Sequence, residues 1–205
     1  MERNDAFEKL KKLESKDIRP LADKYEVTVW KNGKKNKGWF GHTIERYLGL
    51  PINSAQSPNF GSWELKTVPL KKLKNGKITV KETMAITMID DYNVKTTSFE
   101  KSHLFAKLQK AIICVRMFES QKDDKAVLVK VFRFDLENEQ ILEQIRKDYE
   151  ETRNTIIEKG FDALSGKMGV YIQPRTKGAG HGSKSRCFYA RTSFLKKVLG
   201  FEDKK

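Results

Sequence analysis

Two short runs of apolar, largely β-branched residues, AIICVRMF at 111–118 and AVLVKVFRF at 126–134, constrain this chain more than any other feature. Runs of that length and composition suit strands in the centre of a sheet. Such strands need helices to cover them, and the sequence supplies several. Phe7, Leu10, Leu13, Ile18 and Leu21 predict an amphipathic helix over 4–24, broken near Pro20. Ile44, Tyr47 and Leu48 form a second helical stripe, closed by Gly49 and Pro51. A short helix is expected over 100–110. The longest pattern runs over 135–165 with Leu136, Ile141, Leu142, Ile145, Tyr149, Ile156 and Ile157. Further strands are read in FGSWELKTVPL, in a hairpin turning at Asn75-Gly76, in the Met84, Ile86, Met88 alternation and in GVYIQPR. CFYARTSFLKKVLGF reads as a strand or turn running into a final helix. No internal repeat is present. Mixed strands and helices in this order predict an α/β fold with a mixed sheet flanked by helices.

The 205 residues suit one domain or two intimately packed lobes. Lys and Arg number 41 against 27 Asp and Glu, a net charge of +14. That excess favours a polyanionic partner, although a lysine-rich surface kept for solubility would give the same number. Cys114 and Cys187 lie far apart, one inside an apolar run, and are expected as free thiols. The charged N-terminal pattern has no signal core, and no stretch approaches the about 18 apolar residues of a spanning helix. The expectation is a cytoplasmic protein without a membrane partner. His42, His103 and His181 show no paired spacing, so zinc is not expected. His103 itself is read as structural.

The chemistry concentrates in Pro58-Asn59-Phe60-Gly61-Ser62-Trp63-Glu64-Leu65-Lys66. In a strand, residues i and i+2 share a face, so Glu64 and Lys66 project side by side. A carboxylate and a lysine beside a turn-borne polar residue suit a nuclease site, where Mg²⁺ is held by oxygen donors and the lysine positions or activates the nucleophile. Such a pair on its own is commonplace on solvated strands.

Further blocks accompany it. Lys37-Gly38-Trp39, Gly41, Glu45, Leu48-Gly49, Pro58, Phe60, Glu64-Leu65-Lys66-Thr67 and Pro69 closely resemble the active-site region of the MutH family. That family comprises methyl-directed mismatch-repair nickases and related restriction enzymes, several cutting at GATC. The resemblance continues in Ser102-His103-Leu104 with Lys107-Leu108-Gln109. It resumes in Tyr171, Gln173, Arg175 and Lys177, then Arg186, Phe188-Tyr189 and Phe194.

The resemblance implies a restriction-endonuclease-like, PD-(D/E)xK fold with two lobes around a DNA cleft. The metal site is expected in a lobe of about residues 1–110 and recognition in one of about 111–205. It also implies Glu64 as the metal-binding acid assisted by the Leu65 carbonyl, Lys66 as the catalytic lysine, and Glu45 as an additional active-site carboxylate. Lys107 is implied to project toward the cleft, against its plain reading as a surface lysine on an amphipathic helix.

Position 59 matches the family's first metal-binding aspartate but is asparagine here, and the stretch from 59 to 64 is shorter than in the repair members. An amide oxygen can ligate Mg²⁺ without offsetting charge on the phosphate. The expectation is an aspartate changed to asparagine, the rival a natural variant with weak or absent cleavage.

For DNA, Arg175, Lys177, Lys184 and Arg186 bracket a loop carrying Gly178, Gly180 and Gly182, suited to lie against a groove. The resemblance implies Arg175 and Lys177 as a DNA-contacting pair and Tyr189 as a sensor of adenine methylation. The basic loop with Lys34, Lys35 and Lys37 is a second phosphate-contact candidate.

The function expected from these features is a Mg²⁺-dependent type II restriction endonuclease acting on double-stranded DNA as a monomer or dimer, with a cognate methyltransferase in the same system. The alternatives are a mismatch-repair strand-nicking enzyme and a DNA-binding module of the same fold without catalysis.

Overall fold

Both apolar runs become strands of one sheet. The computed structural model describes residues 1–50, 58, 60–120, 122–178 and 184–201. In chain order the elements are α1 (Arg3–Lys11), α2 (Arg19–Lys24), β1 (Trp30–Lys31), β2 (Lys34–Lys35), α3 (Trp39–Tyr47), β3 (Glu64–Lys72), β4 (Ile78–Val80), β5 (Met84–Ile89), α4 (Asp91–Thr96), α5 (His103–Leu108), β6 (Lys110–Met117), β7 (Leu128–Asp135), α6 (Glu139–Lys159), β8 (Ile172–Thr176), β9 (Arg186–Ala190) and α7 (Thr192–Leu199).

They form two units. The first holds described residues 1–50, 60–81 and 111–134, the second 58, 82–110, 135–178 and 184–201. The architecture is mixed α/β, as the sequence predicts.

In the first unit a sheet of order β4-β3-β6-β7 is mixed: β3 runs parallel to β6 and antiparallel to β4. Leu65, Ile112 and Cys114 face a core shared with Ala6 and Leu10 of α1, Ala22 of α2, and Trp39, Phe40 and Ile44 of α3. The β3–β4 turn falls at Asn75-Gly76, where Gly76 takes φ 82. β6 is central, but β7 ends the sheet, a correction to the reading of both runs as central. Its exposed Val129, Lys130 and Arg133 mark it as half-wet. Its outer edge is nevertheless covered: Ser15 N donates to Leu128 O (2.8 Å), Leu128 N to Lys16 O (3.0 Å) and Val131 N to Glu14 Oε1 (2.8 Å). An edge so covered offers less template for aggregation.

The N-terminal helix is interrupted earlier than expected. α1 ends at Lys11, Ser15 turns at φ 64, and Pro20 sits in the first turn of α2. Proline is tolerated there because that N–H has no intrahelical partner. The basic stretch read as a loop is a two-strand hairpin. Asn32 (φ 50) and Gly33 (φ 71) supply the two positive φ angles that a tight hairpin turn requires.

In the second unit the sheet order is β5-β9-β8, with β9 antiparallel to both neighbours. A register shift between Ala85 and Thr87 leaves Met84, Ile86 and Ile89 buried and Met88 half-buried, so the simple alternation fails at that bulge. α6 begins at Glu139 because the Asn138 side chain accepts from Ile141 N (3.0 Å). Its buried stripe is Ile145, Asp148, Tyr149, Thr152 and Ile156, while Ile157 is 53% exposed. Helix α4, capped by Asp90 on Asn93 N (2.7 Å), has no counterpart in the sequence reading. No helix among the described residues is long and apolar enough to cross a membrane.

Candidate active site and nucleic-acid interface

The approach to β3 is a tight turn. Gly61 takes φ 75, Phe60 N donates to Trp63 O (3.1 Å), and the two rings stack 3.8 Å apart. Trp63 is buried, and its indole donates to Met1 O (3.3 Å). The next residue, Glu64, lies opposite Ala111 of β6, and Lys66 lies opposite Ile113. Because Leu65 faces the helical core, alternation turns Glu64 and Lys66 to the other face of the strand. There Lys66 Nζ stands 2.8 Å from Glu64 Oε1, with side chains 15% and 2% exposed. The pair is therefore largely withdrawn from water, and each charge is the condition for burying the other.

α3 crosses β3 at Thr67, on the Leu65 side. A Cβ built on Gly41 would meet the Thr67 side chain at 3.8 Å. Glu45 is half-buried one helical turn beyond Gly41, on the same stripe of α3. Asn59 lies outside the described residues. Among those described, no cluster of three or more His, Cys, Asp or Glu is placed to hold a metal ion. The donors that remain are hard oxygens: the Glu64 carboxylate and the Leu65 carbonyl on β3, with the Glu45 carboxylate on α3, on the Leu65 side of the strand. β4 pairs with β3 only at Leu70–Lys72, so among the described residues the 64–68 stretch has no strand on that edge. A backbone oxygen beside a carboxylate suits a cation such as Mg²⁺, which keeps several waters.

The two basic hairpins differ in how their charges are used. Lys34 and Lys37 are exposed. Lys35 is committed inward, with Nζ 2.6 Å from Oδ2 of buried Asp123. Asp123 also accepts from Trp39 Nε1 (2.8 Å) and pairs with Arg116 (3.3 Å), whose guanidinium lies 5.4 Å from the Phe40 ring centre. Burial acts to raise the Asp123 pKa, but hydrogen bonds from Lys35 and Trp39 and the Arg116 charge outweigh it and hold the carboxyl below its ordinary value. Asp123 takes φ 49, so this contact holds a sparsely populated backbone conformation. The sequence reading missed this residue.

In the second unit Gln173 lies opposite Tyr189 and Arg175 opposite Cys187, while Lys177 N donates to Ser185 O (2.9 Å). Directly opposed residues share a face, so Gln173, Arg175, Lys177 and Tyr189 face the same way. The Arg175 guanidinium lies 5.6 Å from the Tyr189 ring centre and donates to Thr83 Oγ1 (3.2 Å). Burial pushes the Tyr189 hydroxyl pKa up, assisted by Cys187 and opposed by Arg175. Arg186 belongs to the opposite face, paired with Thr176, and its guanidinium lies 6.0 Å from the Phe161 ring centre. Lys184 is exposed, and its carbonyl accepts from Arg186 (3.4 Å). Gly180 and Gly182 of the intervening loop lie outside the described residues.

A second residue missed from the sequence sets the position of this face. Asp148 of α6 is 2% exposed and accepts from Val170 N (2.8 Å), Tyr171 N (2.7 Å) and Ile172 N (2.7 Å). Arg191 holds the same segment from the other side, donating to Gly166 O (3.0 Å), Met168 O (2.7 Å) and Gly169 O (2.9 Å). An aspartate within the apolar stripe Ile145, Tyr149, Ile156 was the available signal. In α5, capped by Ser102, Lys107 is 7% exposed, which removes its reading as a surface lysine. A cavity of about 520 Å³ lined by Lys24, Tyr25, Glu26, Arg46, Gly49 and Leu50 contains none of the candidate site residues.

The comparisons with known proteins accord with this geometry. The family described as "DNA mismatch repair enzyme MutH" matches residues 48–148. The chain is similar to the DNA mismatch repair protein MutH of Vibrio parahaemolyticus, 30% identical over 87% of this chain and 84% of that protein. The MutH of Shewanella woodyi is 28% identical over 87% and 83%. The type II restriction enzyme Sau3AI of Staphylococcus aureus is 26% identical over 81% of this chain but 37% of its own length. With its Glu64–Lys66 pair on the strand beside α3, and with a MutH relative 30% identical over 84% of that relative's length, this chain belongs to the MutH family of restriction-endonuclease-like nucleases.

Proposed function

We propose that the chain is a Mg²⁺-dependent, sequence-specific endonuclease of double-stranded DNA that works as a type II restriction enzyme. The observation that carries the reading is the buried Glu64–Lys66 contact at 2.8 Å. Glu64, the Leu65 carbonyl, Glu45 and the residue at position 59 would hold the cation. When bound, it would neutralise charge developing on the phosphate and acidify the attacking water. Lys66, held by Glu64, presents ammonium donors to a phosphate oxygen or to that water. In this reading the first unit carries the chemistry. The second reads the sequence through Arg175, Lys177 and Tyr189, and Lys107 keeps the role its family resemblance implies. Lys34 and Lys37 serve phosphates, since Lys35 is engaged with Asp123. The excess positive charge lets the enzyme bind DNA without a recruiting protein.

A second reading, a mismatch-repair nickase, is favoured by the near full-length match to the Vibrio parahaemolyticus protein. Plasmids in unmethylated, hemimethylated and fully methylated form, incubated with Mg²⁺ and either this chain or Asn59→Asp, separate the readings. Linear fragments support restriction. Nicks confined to the unmethylated strand support the repair enzyme. Binding without cleavage by both proteins identifies a DNA-binding module and overturns the proposal. A gain of cleavage in Asn59→Asp assigns position 59 to the metal site.

A further inference from the structure

We infer that the tip of the β3–β4 hairpin is a phosphate-binding arm that grips the DNA flanking the cut. The inference rests on the DNA-cleaving reading above and goes beyond the contacts assigned there. Residues 71–77 read KKLKNGK, four lysines without an acid, and every one of these positions is exposed. Among the described residues, Lys71, Lys72 and Lys74 form no ion pair with an acid.

The tip is built to one shape. Leu73 N donates to Lys77 O (2.8 Å), Gly76 N to Leu73 O (2.9 Å), and Lys77 N to the Asn75 side chain (3.1 Å). The Lys72 stem lies along the turn, its Cε 3.9 Å from where a Cβ on Gly76 would stand. Like charges crowded on a rigid turn repel one another, and a polyanion relieves that repulsion while releasing its own counterions.

Strand geometry aims the arm. Glu64, Lys66, Val68, Leu70 and Lys72 alternate onto one face of β3, so Lys72 shares the face of the Glu64–Lys66 pair. Six residues at about 3.3 Å each place it about 20 Å farther along. That span equals about six base pairs at the about 3.4 Å rise of duplex DNA. Val68 and Leu70 between them are fully buried, so a duplex whose scissile phosphate meets Lys66 would meet Lys72 and its neighbours beyond that covered stretch, at the exposed tip of the hairpin.

The test compares the full chain with Lys71→Gln/Lys72→Gln/Lys74→Gln, three substitutions at exposed positions outside the catalytic group. Binding to duplexes of about 12 and about 30 base pairs centred on the target is measured without metal across a salt series. The arm requires the log K against log salt slope of the variant to fall by about 3, near 0.9 per lost contact. It also requires the advantage of the longer duplex over the shorter one to shrink, with cleavage position unchanged in Asn59→Asp backgrounds. An unchanged slope and length dependence overturns the arm while leaving the nuclease reading intact. If the variant keeps both but self-associates, the lysines guard the β4 edge and the arm is likewise overturned. Failure of the unsubstituted chain to bind duplex overturns both readings.

Discussion

Glu64 Oε1 and Lys66 Nζ lie 2.8 Å apart at the start of β3, with side chains 2% and 15% exposed. Two residues of one strand face thus carry opposite charges that water barely reaches. The contact keeps the carboxylate and the ammonium in place before any substrate arrives.

Lys66→Met removes the ammonium that stands 2.8 Å from the buried carboxylate. We expect a loss of about 3 kcal/mol in unfolding free energy, because removing one partner of a buried pair costs about 3–5 kcal/mol. Urea titration reads the change. Glu64→Gln/Lys66→Met should recover most of the loss, whereas both variants should abolish any cleavage gained in an Asn59→Asp background. A single variant as stable as the parent sinks the idea that the pair is buried in solution.

Asp123 gives the fold an acid limit. Its carboxyl is held below the ordinary aspartate value, so its contribution is complete above about pH 4 and is lost as pH falls through the lowered value. Asp123→Asn should lower stability at neutral pH by about 2–4 kcal/mol, since Lys35 and Arg116 lose their counter-charge. It should also flatten the acid limb of the stability profile. Thermal melts across the acid range check both, and parallel acid limbs count against the assignment.

Asp148→Ala removes the acceptor of three consecutive backbone N–H groups and should cost about 3 kcal/mol or more. Gly169→Ala should be at least as damaging. Gly169 holds φ 71, and an added Cβ would fall 1.8 Å from Ile172 O. Both variants should lose discrimination between target and non-target duplex before they lose non-specific binding. Equilibrium binding to the two duplexes decides it, and retained discrimination shows that β8 is positioned by other contacts.

Burial pushes the Cys114 thiol up to about 12, with Glu14 adding to the shift, and Cys187 is buried as well. Only thiolate reacts, so neither cysteine should be modified by a disulfide reagent in native protein at neutral or mildly alkaline pH. Both should react on unfolding in denaturant. Rapid labelling of the native protein would show that the β6 core or the β9 strand opens.

The candidate site was legible where its logic is local. Alternation on β3 put Glu64 beside Lys66, and Asn75-Gly76 announced its hairpin, because a strand's period and a turn's φ angles are properties of adjacent residues. The break near Pro20 and the loop at 31–38 were misread for local reasons too. Proline suits a first helical turn, and Asn32-Gly33 is itself a hairpin signal.

Asp123 and Asp148 were not legible. Each looks like one more acid in a polar stretch until a partner 84 residues away (Trp39) or 24 residues away (Ile172) closes on it. The same distinction sorts the cations. The sequence by itself determined that the chain is basic, which elements alternate, and that Glu64 and Lys66 share a face. Only the tertiary structure decided that Lys35 is spent on Asp123, that Arg186 leaves the face of Arg175, and that Lys107 is buried. Charge and period are written into neighbouring residues. Burial and pairing depend on long-range contacts, which take form when the sheet and its helices pack.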